Sequence, residues 1–495
     1  MGEAVSAAEE GVVGSQRRHV STPHAGSRGH ANPATRRPTG AQLAQGTGGY
    51  PRTVESVLLY IVGVIVIVIG LALSIALHEV GHLVPAKLFG VRVGQYMIGF
   101  GPTLWSRRRG ETEYGIKAIP LGGYISMSGM YPPAAEGGRA RESSTGFFQT
   151  LVQDARVASA ETIAPGEDTR AFYRLPVWKR IVIMLGGPFM NLLIALVLFM
   201  VVLSAFGVQQ PSTTIGSVAE CMVPAGSAQD ECDADAPTAP AAEAGVLPGD
   251  RMLSVDGTPV TSWEQASAIF RESPDETLEL VVERDGKPQA LEITPFLNER
   301  YVFDEDGMAV EGTDGELLTE DVGMVGITAA YELVRQPITA AFPQVWNNTV
   351  AVAQVILNLP QRLVDVAEAA FGPEERDPNG PLSVVGVGRI AGEITTVDTI
   401  PVVERLSFLI GLVASVNVAL FVFNLVPLMP LDGGHVLGAL WEGLRRRLAK
   451  LFGRRDPGPV DTAKLIPLTL AVAVLLGLMS VLLIYADIVK PITIL

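Results

Sequence analysis

The strongest chemical signal in the sequence is a run of five residues, His78-Glu79-Val80-Gly81-His82. On an α-helix, residues four apart share a face, so both imidazoles can reach one metal ion while Glu79 stands beside them. Zinc held in this way lowers the pKa of a bound water to about 7, and a neighbouring carboxylate can take its proton. The bland alternative is a chance pentapeptide at a helix end. Placement decides against it: the run closes an uncharged stretch, Val57 to Leu77, and ionisable groups at such a place are costly and usually functional. Of the six histidines, three fall within the first 30 residues, and the others are His78, His82 and His435.

A catalytic zinc takes three protein ligands and keeps one position open. Far along the chain, Asn424-Leu-Val-Pro427-Leu-Met-Pro430-Leu-Asp432-Gly-Gly-His435 closes another apolar stretch. Asp432 is the expected third ligand, and the competing reading is that it only caps the following helix. His435 is a rival ligand, but three residues further on it is better placed to orient or support Asp432. Pro427 and Pro430 interrupt the helix and free backbone groups, which is tolerated only where protein or water lines the site. An unwound substrate strand can pair there, with Asn424 as a hydrogen-bond partner. The expected set is therefore His78, His82 and Asp432 around one zinc ion per chain, with Glu79 as general base and acid.

Four stretches are long enough to hold such a site in a bilayer, which needs roughly 20 apolar residues per helix. They run Val57 to Leu77, Ile181 to Phe206, Leu406 to Leu431 and Leu465 to Tyr485. The first is too long for a signal peptide's apolar core and lacks a convincing cleavage site, so it reads as a retained helix. Composition agrees: 48% of the 495 residues are hydrophobic and 18% charged, against about 25% charged in soluble domains. The net charge of −15 disfavours a nucleic-acid partner. Two cysteines exclude a disulfide-built scaffold and a four-cysteine zinc site.

Charge also orients the chain. Val208 to Arg405 holds 10 Lys/Arg against 34 Asp/Glu, while the remainder holds 27 against 18. Arg107 to Arg109, Arg139, Arg141, Lys179 and Arg180 follow the first span, and Arg445 to Arg447, Lys450, Arg454 and Arg455 separate the third from the fourth. By the positive-inside rule both basic loops are cytoplasmic and the acidic segment lies outside. Both termini then lie outside, although the N-terminal tail, with Arg17, Arg18, Arg36, Arg37 and Arg52, pulls the other way.

A His-Glu-x-x-His helix joined to a distant Leu431-Asp432-Gly433 resembles the site-2 protease family of intramembrane zinc metalloproteases, in the bacterial branch that acts in regulated intramembrane proteolysis. The resemblance covers about residues 55–490. Gly99-Phe100-Gly101 and Pro120-Leu-Gly-Gly-Tyr124 resemble its membrane-reentrant β-loop, and the first three are thereby implied to bind substrate, with Asn424 and Pro427. Gly186-Gly-Pro-Phe-Met-Asn191 resembles the Gly-Pro-x-x-Asn element of the second helix, and Gly380-Pro-Leu-Ser-Val384 resembles the Gly-Pro segment before the third. The resemblance implies a second cut, after a site-1 protease, in single-pass membrane substrates such as anti-sigma factors. Spacing alone reads residues 91–125 as a hairpin, whose edge could hold an unfolded substrate by β-augmentation.

After the second span, Ala244-Gly-Val-Leu-Pro-Gly-Asp-Arg251 and the alternating runs Leu278 to Glu283 and Gln289 to Thr294 read as short strands joined by Pro-Gly and Asp-Gly turns. They resemble a PDZ domain, implied to take a ligand peptide or to filter truncated substrate ectodomains. Cys221 and Cys232 bracket a polar insert where an extracytoplasmic disulfide could persist.

The expected fold is a polytopic α-helical membrane protein with four transmembrane helices, a membrane-reentrant β-hairpin and an extracytoplasmic PDZ domain. It sits in a bacterial plasma membrane with the active site toward the cytoplasm. The segments are a disordered tail (1–52), the first helix (53–90), the β-loop (91–130), a flexible cytoplasmic loop (131–175) and the second helix (176–207). Then follow the PDZ domain (208–300), a linker with amphipathic helices (301–403), the third helix carrying Asp432 (404–435), a basic loop (436–463) and the fourth helix (464–495). Two other readings compete. A prenyl-protein-processing membrane protease needs a glutamate as third ligand, and none with a suitable neighbouring motif occurs in the later helices. A PDZ scaffold with a vestigial metal site would not need all three ligands and Glu79 together.

Overall fold

Long apolar runs form the long helices here, the first two even across an internal proline, Pro85 and Pro188. In a computed structural model, which describes residues 54–132, 147–163, 168–222, 232, 236–302, 310, 317–373, 376–377 and 380–492, the first of them is α1 (Val54–Leu88). The tail expected over 1–52 lies outside the described residues. Two long strands follow, β1 (Val93–Arg109) and β2 (Thr112–Met127), as an antiparallel hairpin. Gln95 to Ile98 pair with Gly123 to Ser126 on one edge and lie beside Glu113 to Ile116 on the other, so the hairpin doubles back on itself.

The stretch read as a flexible loop over 131–175 instead contains a helix, α2 (Phe147–Glu161). Residues 151, 155 and 159 of α2 share its inward face, the four-residue spacing of a helix side. Arg156 pairs with Asp461 across this face. Next, α3 (Val177–Val201) ends in a π-helical turn, Val202–Phe206, and the chain passes through Gly207 into β3 (Val208–Val218).

The β unit continues with α4 (Pro240–Glu243), β4 (Arg251–Val255), β5 (Thr258–Pro259) and α5 (Trp263–Glu272). After these come β6 (Leu278–Arg284), β7 (Lys287–Ile293), β8 (Phe296–Tyr301), β9 (Thr319–Met324) and β10 (Ile327–Val334). The main sheet runs β10-β3-β4-β6-β7, with β5 beside β4 and β8-β9 as a separate ribbon. The β6–β7 turn is Asp285-Gly286, both at positive φ, as a two-residue hairpin of this hand requires. Ile215, Met252, Val255, Leu280, Val282 and Ile293 form the buried core. The sheet thus reaches beyond residue 300, where the sequence placed the domain's end: β10 pairs with β3 from Ile327↔Val218 to Val334↔Val208. Cys221 and Cys232 are disulfide-linked in this structure.

The chain then forms α6 (Ala341–Leu357) and α7 (Leu359–Phe371), bent by 74° at their junction, then α8 (Val384–Thr396), α9 (Val402–Leu425), α10 (Asp432–Leu451) and α11 (Ile466–Val489). Among the described residues, four helices are long and apolar enough to cross a membrane, or five if the bent pair is one span. Within the segment read as a linker (301–403), α8 packs against α1, and Thr395 Oγ1 donates to Leu59 O at 2.8 Å. The third apolar helix stops at Leu425, so Asp432 opens α10 rather than closing that span. Pro427 and Pro430 in the connection explain the break, since proline removes a helix donor and clashes with the preceding turn.

Lipid tails are as apolar as leucine, so helices in a bilayer associate through close packing and hydrogen bonds. Asn417 of α9 shows the second means: its Nδ2 donates to Ser74 Oγ of α1 and to Val413 O, each at 2.8 Å. Two buried ion pairs tie the ends. Arg180 of α3 meets Glu442 of α10 at 2.5 Å, and Arg376 meets Asp487 of α11, which also accepts from Ser383 N at 2.7 Å.

Candidate active site

His78 and His82 lie one turn apart on α1, and their Nε2 atoms are 3.2 Å apart. Asp432 Oδ2 stands 3.3 Å from each of them. Zinc–ligand distances of about 2.0–2.1 Å place tetrahedral donor atoms about 3.3 Å from one another, so the observed spacing is that of a shared ion. The donor chemistry agrees: two imidazole nitrogens and a carboxylate oxygen suit zinc, and the inward oxygen of Asp432, though buried, has no hydrogen-bond partner within the protein. Asp432 does not cap its helix either; Leu431 holds the cap position and Asp432 is the first helical residue.

Helix α3 supports both rings. His82 Nδ1 donates to Ile183 O at 2.8 Å, and the amide of Asn191 lies 3.1 Å from His78 Nδ1. Two glycines permit this approach. A Cβ at Gly81 would stand 2.2 Å from Gly186 O, and one at Gly187 would stand 2.2 Å from His82 Nε2 and 2.7 Å from His78 Cε1. Any side chain at either position would part the two helices.

Glu79 faces β2, where Gly123 packs against its side chain and the Ile125 backbone faces its carboxylate. Gly123 pairs with Ile98, so a sheet strand passes directly beside the acidic group. The expected contributors Gly99, Phe100 and Gly101 sit one step further along β1. Both glycines adopt positive φ there, and the partly exposed Phe100 ring packs on Gly122. They shape the hairpin bend, while β2 makes the contact with Glu79. Asn424 Nδ2 donates to Leu420 O at 2.9 Å in its own helix, and Pro427 lies in the α9–α10 connection. Neither joins the ligand cluster in this structure. His435 lies outside it too, lining a small cavity of about 20 Å³ beside Arg180 and Glu442.

The functional contacts that sequence reasoning left unassigned are Asn191 and the Ile183 carbonyl. Asn191 belongs to a motif visible in the sequence, and its signal was a polar amide inside an apolar run. The carbonyl carries no sequence signal at all. An apolar cavity of about 580 Å³ is lined by Ile67 and Leu71 of α1 and by Val387, Leu420, Phe423 and Met479, among others.

The family model of Peptidase family M50 matches residues 66–455. The chain belongs to this family. Zinc metalloprotease Rip1 of Mycobacterium tuberculosis is 34% identical over 443 residues, spanning 88% of this chain and 99% of the relative. Rip1 of Mycolicibacterium smegmatis is 32% identical, over 88% and 100% of the two chains. Metalloprotease MmpA of Caulobacter vibrioides is 27% identical, over 76% and 85%. The protein is thus a zinc metalloprotease of the site-2 protease family and, with its long apolar helices, a membrane protein.

Proposed function

We propose that this M50 protease cuts membrane-spanning substrates near the cytoplasmic face, with His78, His82 and Asp432 holding one zinc ion and Glu79 acting as general base and acid. The observation that carries the reading is the convergence of three donor atoms within 4.8 Å of one another, with Glu79 between them and a strand edge. When bound, zinc supplies Lewis acidity, which makes water a stronger acid and polarises the scissile carbonyl. Glu79 takes the proton from the attacking water and passes it to the leaving amine. Burial at the junction of α1, α3 and β2 limits the water that competes for these groups.

A transmembrane helix hides its carbonyls in internal hydrogen bonds, so cleavage requires it to unwind. The hairpin strand β2 beside Glu79 offers backbone partners to an extended segment, and Gly99, Phe100 and Gly101 shape the bend of its partner strand β1. Asn424 and Pro427 border the gap between α9 and α10 and extend the same groove. The apolar cavity beside α1 receives the uncut part of the substrate's membrane segment. The basic loops favour a cytoplasmic zinc site, and the Cys221–Cys232 bridge favours an oxidising compartment for the β unit. We read that unit as a PDZ domain that admits substrates already shortened by a first protease. Anti-sigma factors are the substrate class that fits a second cut of this kind.

The test is purified Glu79→Gln protein against a model transmembrane substrate. Loss of cleavage with zinc content unchanged is expected, and cleavage at the wild-type rate refutes the mechanism. The same variant, expressed in its own cell, traps uncut substrates for identification by mass spectrometry.

A further inference from the structure

The two zinc-facing histidines are held differently. A carbonyl oxygen only accepts, so the 2.8 Å contact of His82 Nδ1 with Ile183 O puts the proton on Nδ1 and leaves the Nε2 lone pair free for metal. His78 has no such fixed partner. Its Nδ1 faces the side-chain amide of Asn191, which can offer either an N–H or an oxygen, the two ends having the same shape.

Asn191 is fully buried on α3, and its Nδ2 is turned toward His78 while its Oδ1 has no hydrogen-bond partner. With the N–H toward the ring, His78 Nδ1 must accept, its proton moves to Nε2, and the lone pair facing Asp432 and His82 is lost. With the amide turned over, Oδ1 accepts from Nδ1–H and Nε2 is free, as in His82. Either orientation leaves one amide atom without a protein partner, so satisfying the amide does not decide between them. The requirement on His78 does.

We propose that Asn191 is a positioning residue whose Oδ1 accepts the His78 Nδ1 proton, fixing the tautomer and ring orientation that bind metal. The inference rests on the zinc reading above. Metal-ligating histidines commonly give this second proton to a carboxylate or a carbonyl. Here the acceptor is neutral, so the buried site gains orientation without another negative charge beside Asp432 and Glu79. Helix α3 thereby orients both ligands, His82 through its backbone and His78 through one side chain.

The experiment measures zinc affinity of the full-length protein in detergent by competition with a chromophoric chelator, with thermal unfolding of each metal-free variant as the folding control. Asn191→Asp keeps an acceptor and cannot donate; Asn191→Leu keeps the volume and has neither. The expected result is that Asn191→Asp binds zinc as tightly as wild type or more tightly, while Asn191→Leu binds roughly 10–100-fold more weakly. Equal affinity in all three, or a loss in Asn191→Asp matching that in Asn191→Leu, overturns the proposal. If the leucine is not accommodated, Asn191→Ala removes the acceptor with less bulk and is read in the same way. Nitrogen-15 histidine spectra of the zinc-loaded wild type give an independent measure: a proton on His78 Nδ1 is expected, and an unprotonated Nδ1 overturns the proposal. A wild-type protein that binds no zinc, or a His78→Ala protein that binds it normally, would refute the zinc site itself and so separates the two failures.

Discussion

In the β unit, Ile215, Met252, Leu280, Val282 and Ile293 close on one another as a continuous aliphatic core, whereas α1 meets α3 backbone on backbone at Gly81 and Gly186. The β unit gains its stability by removing apolar surface from water. The helices have no such gain from one another, because their surroundings are already apolar, and they rely on small residues, single amides and buried ion pairs. The two regions also use charge differently. Asp250 of the β unit is paired with Arg284 at 2.6 Å and serves a loop, accepting from Leu247 N at 2.9 Å. Between the helices, Asp432 is held with an oxygen unpartnered by the protein, ready for a cation. Close packing at glycines, beside a buried cluster that includes Leu83, Ile183 and Met184, brings the atoms of the candidate metal site together.

The largest effect expected from breaking this contrast is at Gly187. Replacing it with valine puts atoms where the two imidazoles lie, so zinc content and cleavage should both be lost. The β unit's unfolding, followed by hydrogen exchange of β4 and β6, should stay unchanged. A Gly187→Val protein that keeps its zinc would show that α1 and α3 are not packed as described.

Next in size is Asp487→Asn, which leaves Arg376 buried without its counter-charge and should destabilise the helical region by about 3–5 kcal/mol. Unfolding of the detergent-solubilised protein measures this, and a change below the resolution of that assay would mean the pair is hydrated. In the β unit, Leu280→Ala should cost about 2–5 kcal/mol from lost burial and the cavity left behind. That loss should appear as faster exchange in the sheet, with zinc affinity untouched; weakened zinc binding would show the two regions to be coupled.

The smallest effect concerns pH. The hydrogen bonds from Arg284 hold the Asp250 carboxyl below its ordinary range. A depressed folded-state pKa contributes stability that is present above the unfolded value, about 3.9, and is lost as pH falls through the folded one. Acidification below about pH 4 should therefore loosen the β unit, and Asp250→Asn should flatten that dependence while lowering stability at neutral pH. A variant whose acid profile overlays the wild type would remove Arg284–Asp250 from the account.

Much of this was legible in the sequence because its causes are local. Four apolar runs, the Asp285-Gly286 turn and the i, i+4 histidines each follow from a few neighbouring residues, and Asp432 could be picked out by its depth. What was misjudged depended on partners far along the chain. Helix α2 reads as loop in the sequence because its inward face is short and its partner Asp461 lies far along the chain. The β unit's boundary was missed because β10 earns its place in the sheet only by pairing with β3. The apolar run carries the expected helix through to Asp432, whereas the chain breaks at the prolines and Asp432 opens the next helix.

The inventory is legible in the amino-acid sequence alone: two imidazoles at helical spacing, a carboxylate beside them, another carboxylate at the end of a later apolar run, and an acidic segment flanked by basic ones. Helical geometry and the cost of charge in lipid suffice for those inferences. Other features exist only in the tertiary structure: Asp432 Oδ2 lies 3.3 Å from both Nε2 atoms, β2 rather than the Gly99–Gly101 bend meets Glu79, and α3 sets Ile183 O and Asn191 against the two imidazoles. Those contacts join residues from separate helices and strands, and their spacings of 2.8 to 3.3 Å depend on how glycine surfaces pack, which no local pattern encodes.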